Sequence, residues 1–141
     1  FHQACIVQCY VPPKKSDTFV HTGHVNCPIC SYNYGIRTGT MPKGTMNVRV
    51  LSQSLPSYGG HKTIQISYHF PNGIQGPEHM NPGMHYSGTS RTCYLPDTDE
   101  GREVLRKLQV AFERRLSFVI GTSITTGASN TVVWNGIHHK T

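Results

Sequence analysis

Charge is scarce in this sequence of 141 residues. Only 14% of the side chains are Asp, Glu, Lys or Arg, and just 7 are acidic. Beside a hydrophobic content of 36%, this lies far from the composition of chains that stay disordered, which combine high net charge with too little apolar surface to bury. Long apolar runs are missing too. No stretch approaches the ~20 residues of a membrane-spanning helix, and no charged segment followed by a short apolar one opens the chain. We therefore expect a soluble protein with no membrane partner, intracellular, in the cytoplasm first and the nucleus second. There is also no block of like charge. Residues 1–44 carry Lys14, Lys15, Arg37 and Lys43 against Asp17 alone, and the remainder carries nine basic residues against six acidic ones, so the net +6 divides into +3 and +3. An even excess suits a solvated surface with some affinity for phosphate better than the basic stripe of a dedicated nucleic-acid binder. Nucleic acid is not an expected partner.

What is present divides into two parts. Four of the five cysteines (Cys5, Cys9, Cys27 and Cys30) lie before Gly44, in sequence with no clear periodicity. The stretch GIRTGTMPKGT holds three glycines and a proline, which suits a turn or linker, so we place a boundary there: 1–44 as a small irregular unit and 45–141 as the main domain. Beyond it Met46, Val48 and Val50 alternate with Asn47 and Arg49, and Ile64, Ile66, Tyr68 and Phe70 alternate with Gln65, Ser67 and His69. Period-two alternation predicts half-buried strands. The long loop FPNGIQGPEHMNPG follows, restrained by proline and glycine and of the kind that shapes sites. Asp97 and Glu100 resemble a capping box, and Val104, Leu105, Leu108, Ala111 and Phe112 fall on one helical face. The runs LSFVIGTS and TVVWN, joined by ITTGASN, read as two core strands. The fold class is α+β, with antiparallel strands packed around one main helix.

The cysteines carry the first chemical signal. His2 with Cys5 and Cys27 with Cys30 each leave two residues between candidate ligands, a spacing that lets one tight turn present two donors to a tetrahedral zinc. A second arrangement is equally open, since His21, His24, Cys27 and Cys30 recur every three residues and could close a site locally. Reduced cysteines holding no metal are the plain alternative. Cys93, isolated beside Tyr94, reads as a buried thiol rather than a nucleophile. The second signal is the ending, TVVWNGIHHKT, with the only tryptophan, an asparagine and two histidines in eight positions. Such side chains stack, hydrogen-bond and titrate near neutral pH.

The segment FHQAC, an insert, and then CPIC together resemble the second half of a RING-H2 finger. From Tyr34 onward the likeness is closer: YGIRTGTMPKGTM, YHFPNGIQGPEHMNPG, RTCYLPDTDEGREVL and VIGTSITTGASNTVVWNGIHHKT resemble the Deltex family of E3 ubiquitin ligases. The resemblance implies a RING finger that recruits a ubiquitin-conjugating enzyme loaded with ubiquitin, followed by a Deltex C-terminal domain that binds ADP-ribose or NAD. It implies ADP-ribosylated proteins as substrates and Notch-pathway proteins among the partners. It also implies that zinc is held by His2, Cys5, Cys27 and Cys30, with the first pair on a different ion from the second. Carried over residue by residue, the nucleotide pocket comprises Thr122, Ser123, Thr125, Thr126, Gly127, Trp134, Asn135 and His138. Hydroxyls and amides suit a pyrophosphate, indole offers a stacking face, and imidazole can donate to phosphate or ribose. Core packing is as good a reading of Trp134 alone.

Departures from the family pattern carry expectations of their own. Ser31 follows Cys30 where many active RING fingers place arginine, and Gly136 stands where an acidic residue is common. The family continues past the position of Thr141 with a histidine and a glutamate implicated in joining ubiquitin to ADP-ribose. We therefore expect this stretch, which starts with half a RING, to be inactive alone, to assign no catalytic residue, and to bind ADP-ribose without modifying it. His139, the only nearby substitute for that base, is expected to point away from the pocket. A non-catalytic ADP-ribose reader is the second reading.

Overall fold

The computed structural model describes residues 3–11, 23–137 and 139. The chain divides into two compact units, Phe1–Thr38 and Gly39–Thr141. The division falls before Gly39 rather than after Gly44, for a physical reason. Gly39 N donates to Arg114 O at 2.8 Å and Met41 is buried, so both belong to the larger unit.

In the first unit a six-residue helix, α1 (Gln3–Gln8), precedes β1 (Tyr10–Val11), β2 (His24–Asn26) and β3 (Asn33–Gly35). The strands form an antiparallel sheet in the order β1-β2-β3, with Val11 opposite His24 and His24 opposite Gly35. Glycine is required at position 35 twice over. Its φ is +99°, and a Cβ there would overlap the Gly23 carbonyl oxygen.

The second unit is built on an antiparallel sheet of β4 (Thr45–Leu51), β5 (Thr63–Phe70) and β8 (Thr89–Pro96), with β5 in the middle. The alternation read along β5 is the burial pattern itself: Ile64, Ile66, Tyr68 and Phe70 are all nearly inaccessible. Each such side chain contributes about 1.5–3 kcal/mol through its removal from water, which makes β5 the spine of the core. Strand β8 was not anticipated. Its inward residues are the buried Cys93 and the partly buried Leu95, whereas Ser90, Arg91 and Tyr94 are exposed, so the sequence has little apolar alternation to show. The expected loop after Phe70 holds one strand of a short ribbon, β6 (Gly73–Ile74), which pairs with β7 (His85–Tyr86) just past the loop's end.

Helix α2 (Asp99–Glu113) buries Leu108 and Ala111 and packs Leu105 and Phe112 against the core, as its periodicity requires; Val104, at the edge of that stripe, stays exposed. The cap differs from expectation. Thr98 is the N-cap, its hydroxyl accepting from Gly101 N at 3.1 Å, while Asp97 turns to Arg102 at 2.7 Å. Threonine one residue later satisfies the orphan donor of the first turn equally well. The last strands, β9 (Phe118–Gly121) and β10 (Thr131–Trp134), pair antiparallel, and a parallel bridge from Ser87 to Thr131 ties β10 to the segment before β8. Phe118, Ile120 and Val132 complete the core begun by β5. The architecture is α+β, with antiparallel sheets and one main helix. Among the described residues no helix is long and apolar enough to cross a membrane.

Candidate functional site

The β9–β10 hairpin carries every described residue of the expected nucleotide site, in two groups. Thr122, Ser123, Thr125, Thr126 and Gly127 form its turn; Trp134 and Asn135 stand at its open end, where Trp134 pairs with Phe118. The strand register from Thr131 opposite Gly121 to Trp134 opposite Phe118 separates the groups by about 10 Å, at 3.3–3.4 Å per residue. His138 lies outside the described residues.

The turn is organised by its own hydroxyls. Ser123 N donates to Ala128 O at 2.9 Å and Gly127 N to Ser123 O at 2.8 Å. Thr126 N donates to Ser123 Oγ, and Ala128 N to Thr126 Oγ1, both at 3.3 Å. Three backbone amides of the expected site, those of Ser123, Thr126 and Gly127, are thus engaged within the turn. A hydroxyl oxygen that accepts from an amide keeps its own proton to donate, so Ser123 and Thr126 still offer hydrogens to a phosphate. Gly127, with φ +69°, supplies the left-handed step that closes the turn.

Beside the turn lies a cleft of about 100 Å³ lined by Met80, Asn81, Ile120, Gly121, Thr122, Ser129 and Asn130. Pockets for drug-sized ligands run to roughly 300–1,000 Å³, so this cleft has room for one group of a larger ligand. Only Thr122 of the expected residues lines it. An amide network holds its walls together: Gln75 Nε2 and Asn81 Nδ2 both donate to Asn130 Oδ1 at 2.9 Å, and Asn81 N donates to Gln75 Oε1 at 3.1 Å. Gln75 is only 3% exposed, and Asn130 sits at φ +53°, a region asparagine tolerates better than other side chains. None of Gln75, Met80, Asn81 and Asn130 was singled out from the sequence. The loop FPNGIQGPEHMNPG was expected to shape a site, but bonds across 49 and 55 positions leave no trace in local spacing.

At the open end, Trp134 stacks on Phe118 with ring centroids 4.3 Å apart, meets Tyr68 edge-on at 5.8 Å, and lies 4.6 Å from His139. Trp134 is thus packed against the core, as one of its two readings has it. The ring of His139 rests on Trp134, and its Nε2 lies 2.8 Å from the Tyr68 hydroxyl. Burial, and secondarily Cys93, push the Tyr68 hydroxyl well above its ordinary range, so it stays protonated, and the histidine tautomer sets which of the two groups donates. Asn135 has a structural task, donating from Nδ2 to Leu116 O at 3.1 Å and from its backbone N to Ser117 O at 3.0 Å. Burial likewise raises the Cys93 thiol, so the lone cysteine is a buried, protonated group in the core.

In the first unit, hydrogen bonds converge on the first sulfur of the CPIC turn. Backbone amides of Cys30 and then Ile29 donate to the Cys27 sulfur and, with the Cys30 side chain, hold its thiol below the usual range. Amides aimed at sulfur favour the thiolate, the form that ligates metal. Cys30 and Cys5 are exposed, Cys5 on α1, and His24 is buried on β2. Among the described residues no three His, Cys, Asp or Glu side chains converge; His2 and His21 lie outside them.

A two-unit chain whose larger unit is an α+β domain with a hydroxyl-rich, aromatic-ended hairpin belongs to a definite family. Residues 38–141 match the Deltex C-terminal domain, and the chain is a member of that family. It is 52% identical over 143 residues to the E3 ubiquitin-protein ligase DTX1 of Xenopus laevis and 50% identical to the E3 ubiquitin-protein ligase DTX4 of Mus musculus. Each match covers 100% of this chain and 22% of the relative, so the chain spans about a fifth of their length.

Proposed function

We propose that this chain acts in ubiquitin transfer as part of a Deltex-type E3 ligase. Its first unit would contribute to a RING that recruits the ubiquitin-loaded conjugating enzyme, and its C-terminal domain would hold ADP-ribose, NAD or an ADP-ribosylated protein. The observation that carries this reading is identity of 50% or more along the whole chain to proteins named as ubiquitin ligases. The ligase itself works chiefly by positioning, holding the charged enzyme and the target within reach of each other. Cys27 and Cys30 would supply two donors to one zinc, and His2 with Cys5 two donors to another; zinc would supply cross-links that stabilise so small a unit.

For the nucleotide, the hydroxyls of Ser123 and Thr126 suit a pyrophosphate, and the cleft beside Thr122 suits one sugar-sized group. The separation of about 10 Å between turn and Trp134 asks for an extended ligand, as ADP-ribose is. His138 is assigned to the same pocket by family likeness. The second reading, a reader of ADP-ribose without ligase activity, is favoured by one observation: Ser31, and not arginine, follows Cys30.

Calorimetric titration of the chain with ADP-ribose, and with an oligonucleotide of equal charge, tests the nucleotide site. Saturable ADP-ribose binding with little salt dependence is expected, reduced by His138→Ala through loss of one charge-assisted bond of about 1–3 kcal/mol. Binding of the oligonucleotide alone, falling steeply with salt, would replace this reading with a nucleic-acid one.

A further inference from the structure

We propose that Tyr68 is a positioning residue for the candidate nucleotide site: from inside the core it anchors the segment after β10 through His139. This role presupposes the nucleotide reading above and adds to it a residue that touches no ligand. Tyr68 is the third inward residue of β5, after Ile64 and Ile66 and before Phe70, and is 1% exposed. Packing asks only for a ring there. Tilted or edge-on contacts with Phe112 at 5.7 Å, Phe118 at 5.2 Å and Trp134 at 5.8 Å fix that ring from α2, β9 and β10, and a phenylalanine would make them equally well. The hydroxyl is what phenylalanine lacks. A hydroxyl buried without a partner costs free energy, so its presence at this depth points to the group it meets. Among the described residues that group is His139 Nε2, 2.8 Å away and 71 positions along the chain.

The anchor matters because of what lies before it. β10 ends at Trp134, and Asn135 is tied down by its backbone N to Ser117 O at 3.0 Å and by its Nδ2 to Leu116 O at 3.1 Å. His139 is held by Tyr68 and by the indole of Trp134, whose ring lies 4.6 Å away. Between these two tethers the described chain has little support: a side chain at Gly136 would meet nothing within 4 Å, and Ile137 is 38% exposed. Glycine also widens the range of conformations open to the span. A short span fixed at both ends has few paths, whereas one fixed at Asn135 alone has many. The bond to Tyr68 therefore selects the path on which the chain passes through His138, the residue assigned to the pocket, to reach His139. A ligand that needs one such path binds in proportion to the fraction of molecules already holding it. His139 acts here as an anchor, not as a ligand contact.

Calorimetric titration of the full chain with ADP-ribose, beside amide hydrogen exchange over residues 135–141 without ligand, tests the proposal. Tyr68→Phe should stay folded by circular dichroism, speed exchange across the segment and weaken ADP-ribose binding about three- to tenfold, because one hydrogen bond of ordinary strength no longer holds the segment. Ile66→Val, a modest core change on the same strand, should do neither. His139→Ala should match Tyr68→Phe, and the two together should be little worse than either alone. His139→Gln, whose amide can meet the Tyr68 hydroxyl as donor or acceptor, should recover most of the loss. A parent chain that binds no ADP-ribose overturns the nucleotide reading, while faster exchange in Tyr68→Phe still upholds the anchor. Exchange in Tyr68→Phe equal to the parent's overturns the proposal whatever the ligand does. So does parental ADP-ribose affinity in that variant, or an equal loss in Ile66→Val, which would leave Tyr68 a core residue and nothing more.

Discussion

Removing the Gln75 side chain should loosen the fold and the cleft together, because this one buried amide joins the loop after β6 to the end of the β9–β10 turn. Gln75→Ala deletes the 2.9 Å bond to Asn130 Oδ1 and the 3.1 Å bond from Asn81 N. Two such bonds are worth about 0.5–1.5 kcal/mol each, and a donor left stranded away from water costs about 1–3 kcal/mol. Asn81 is exposed, so water reaches its amide and the loss should fall near 2 kcal/mol rather than 4. Asn130 keeps its bond from Asn81 Nδ2, which retains the turn but not the spacing of the cleft walls. Urea unfolding measures the first effect, and ADP-ribose titration of the folded variant the second. An unfolding free energy within about 0.5 kcal/mol of the parent, the range of ordinary surface changes, would refute the reasoning. Gln75→Glu sharpens the test, since it keeps the shape but sets a carboxylate against Asn130 Oδ1. Burial there raises the folded pKa above the unfolded value. The variant should then approach parental stability below about pH 4 and lose it as pH rises through the folded pKa.

Leu108→Ala should cost about 2–5 kcal/mol in urea unfolding, by opening a cavity between α2 and the core. Thr98→Ala should cost about 1 kcal/mol, since Gly101 N loses its acceptor, and thermal unfolding will show it. Gly136→Ala should be tolerated and should stabilise by about 0.4–1 kcal/mol through the unfolded chain, because open space surrounds the position and its φ is not in the left-handed region. The acid limb has a definite sign. The Arg102 hydrogen bond holds Asp97 below the usual carboxylate range, and the Arg106 hydrogen bond brings Glu103 down to about 2. Depressed folded pKa values add stability above the unfolded values, near pH 4, that is lost as pH falls through the folded ones. Asp97→Asn should flatten part of that limb in unfolding temperatures measured from about pH 6 down to about pH 2.

Local pattern determined much of this molecule from the sequence alone. β5 was legible because its neighbours on both sides make burial alternate residue by residue, and α2 because Leu105, Leu108, Ala111 and Phe112 repeat at the period of the helix. Those patterns, with the long motifs around them, also carried the family, which requires no knowledge of distances. β8 escaped because only Cys93 and Leu95 along it are apolar residues turned to the core, too few to show an alternation, and the helix cap was placed one residue early because Asp97 and Thr98 are both capable acceptors. Only the tertiary structure chose between them.

The tertiary structure also decided the shape of the candidate site. The sequence supplied hydroxyls, an indole and imidazoles, but their division between the two ends of a hairpin follows from register, and register is set by pairing across strands. The Gln75, Asn81 and Asn130 network, and the seat of His139 on Trp134 and Tyr68, join residues far apart along the chain. No periodicity encodes such contacts. They exist only once the core of β5, α2 and the last hairpin has brought distant loops to one place, because hydrophobic burial is non-directional and says how much surface is hidden but not which loops meet.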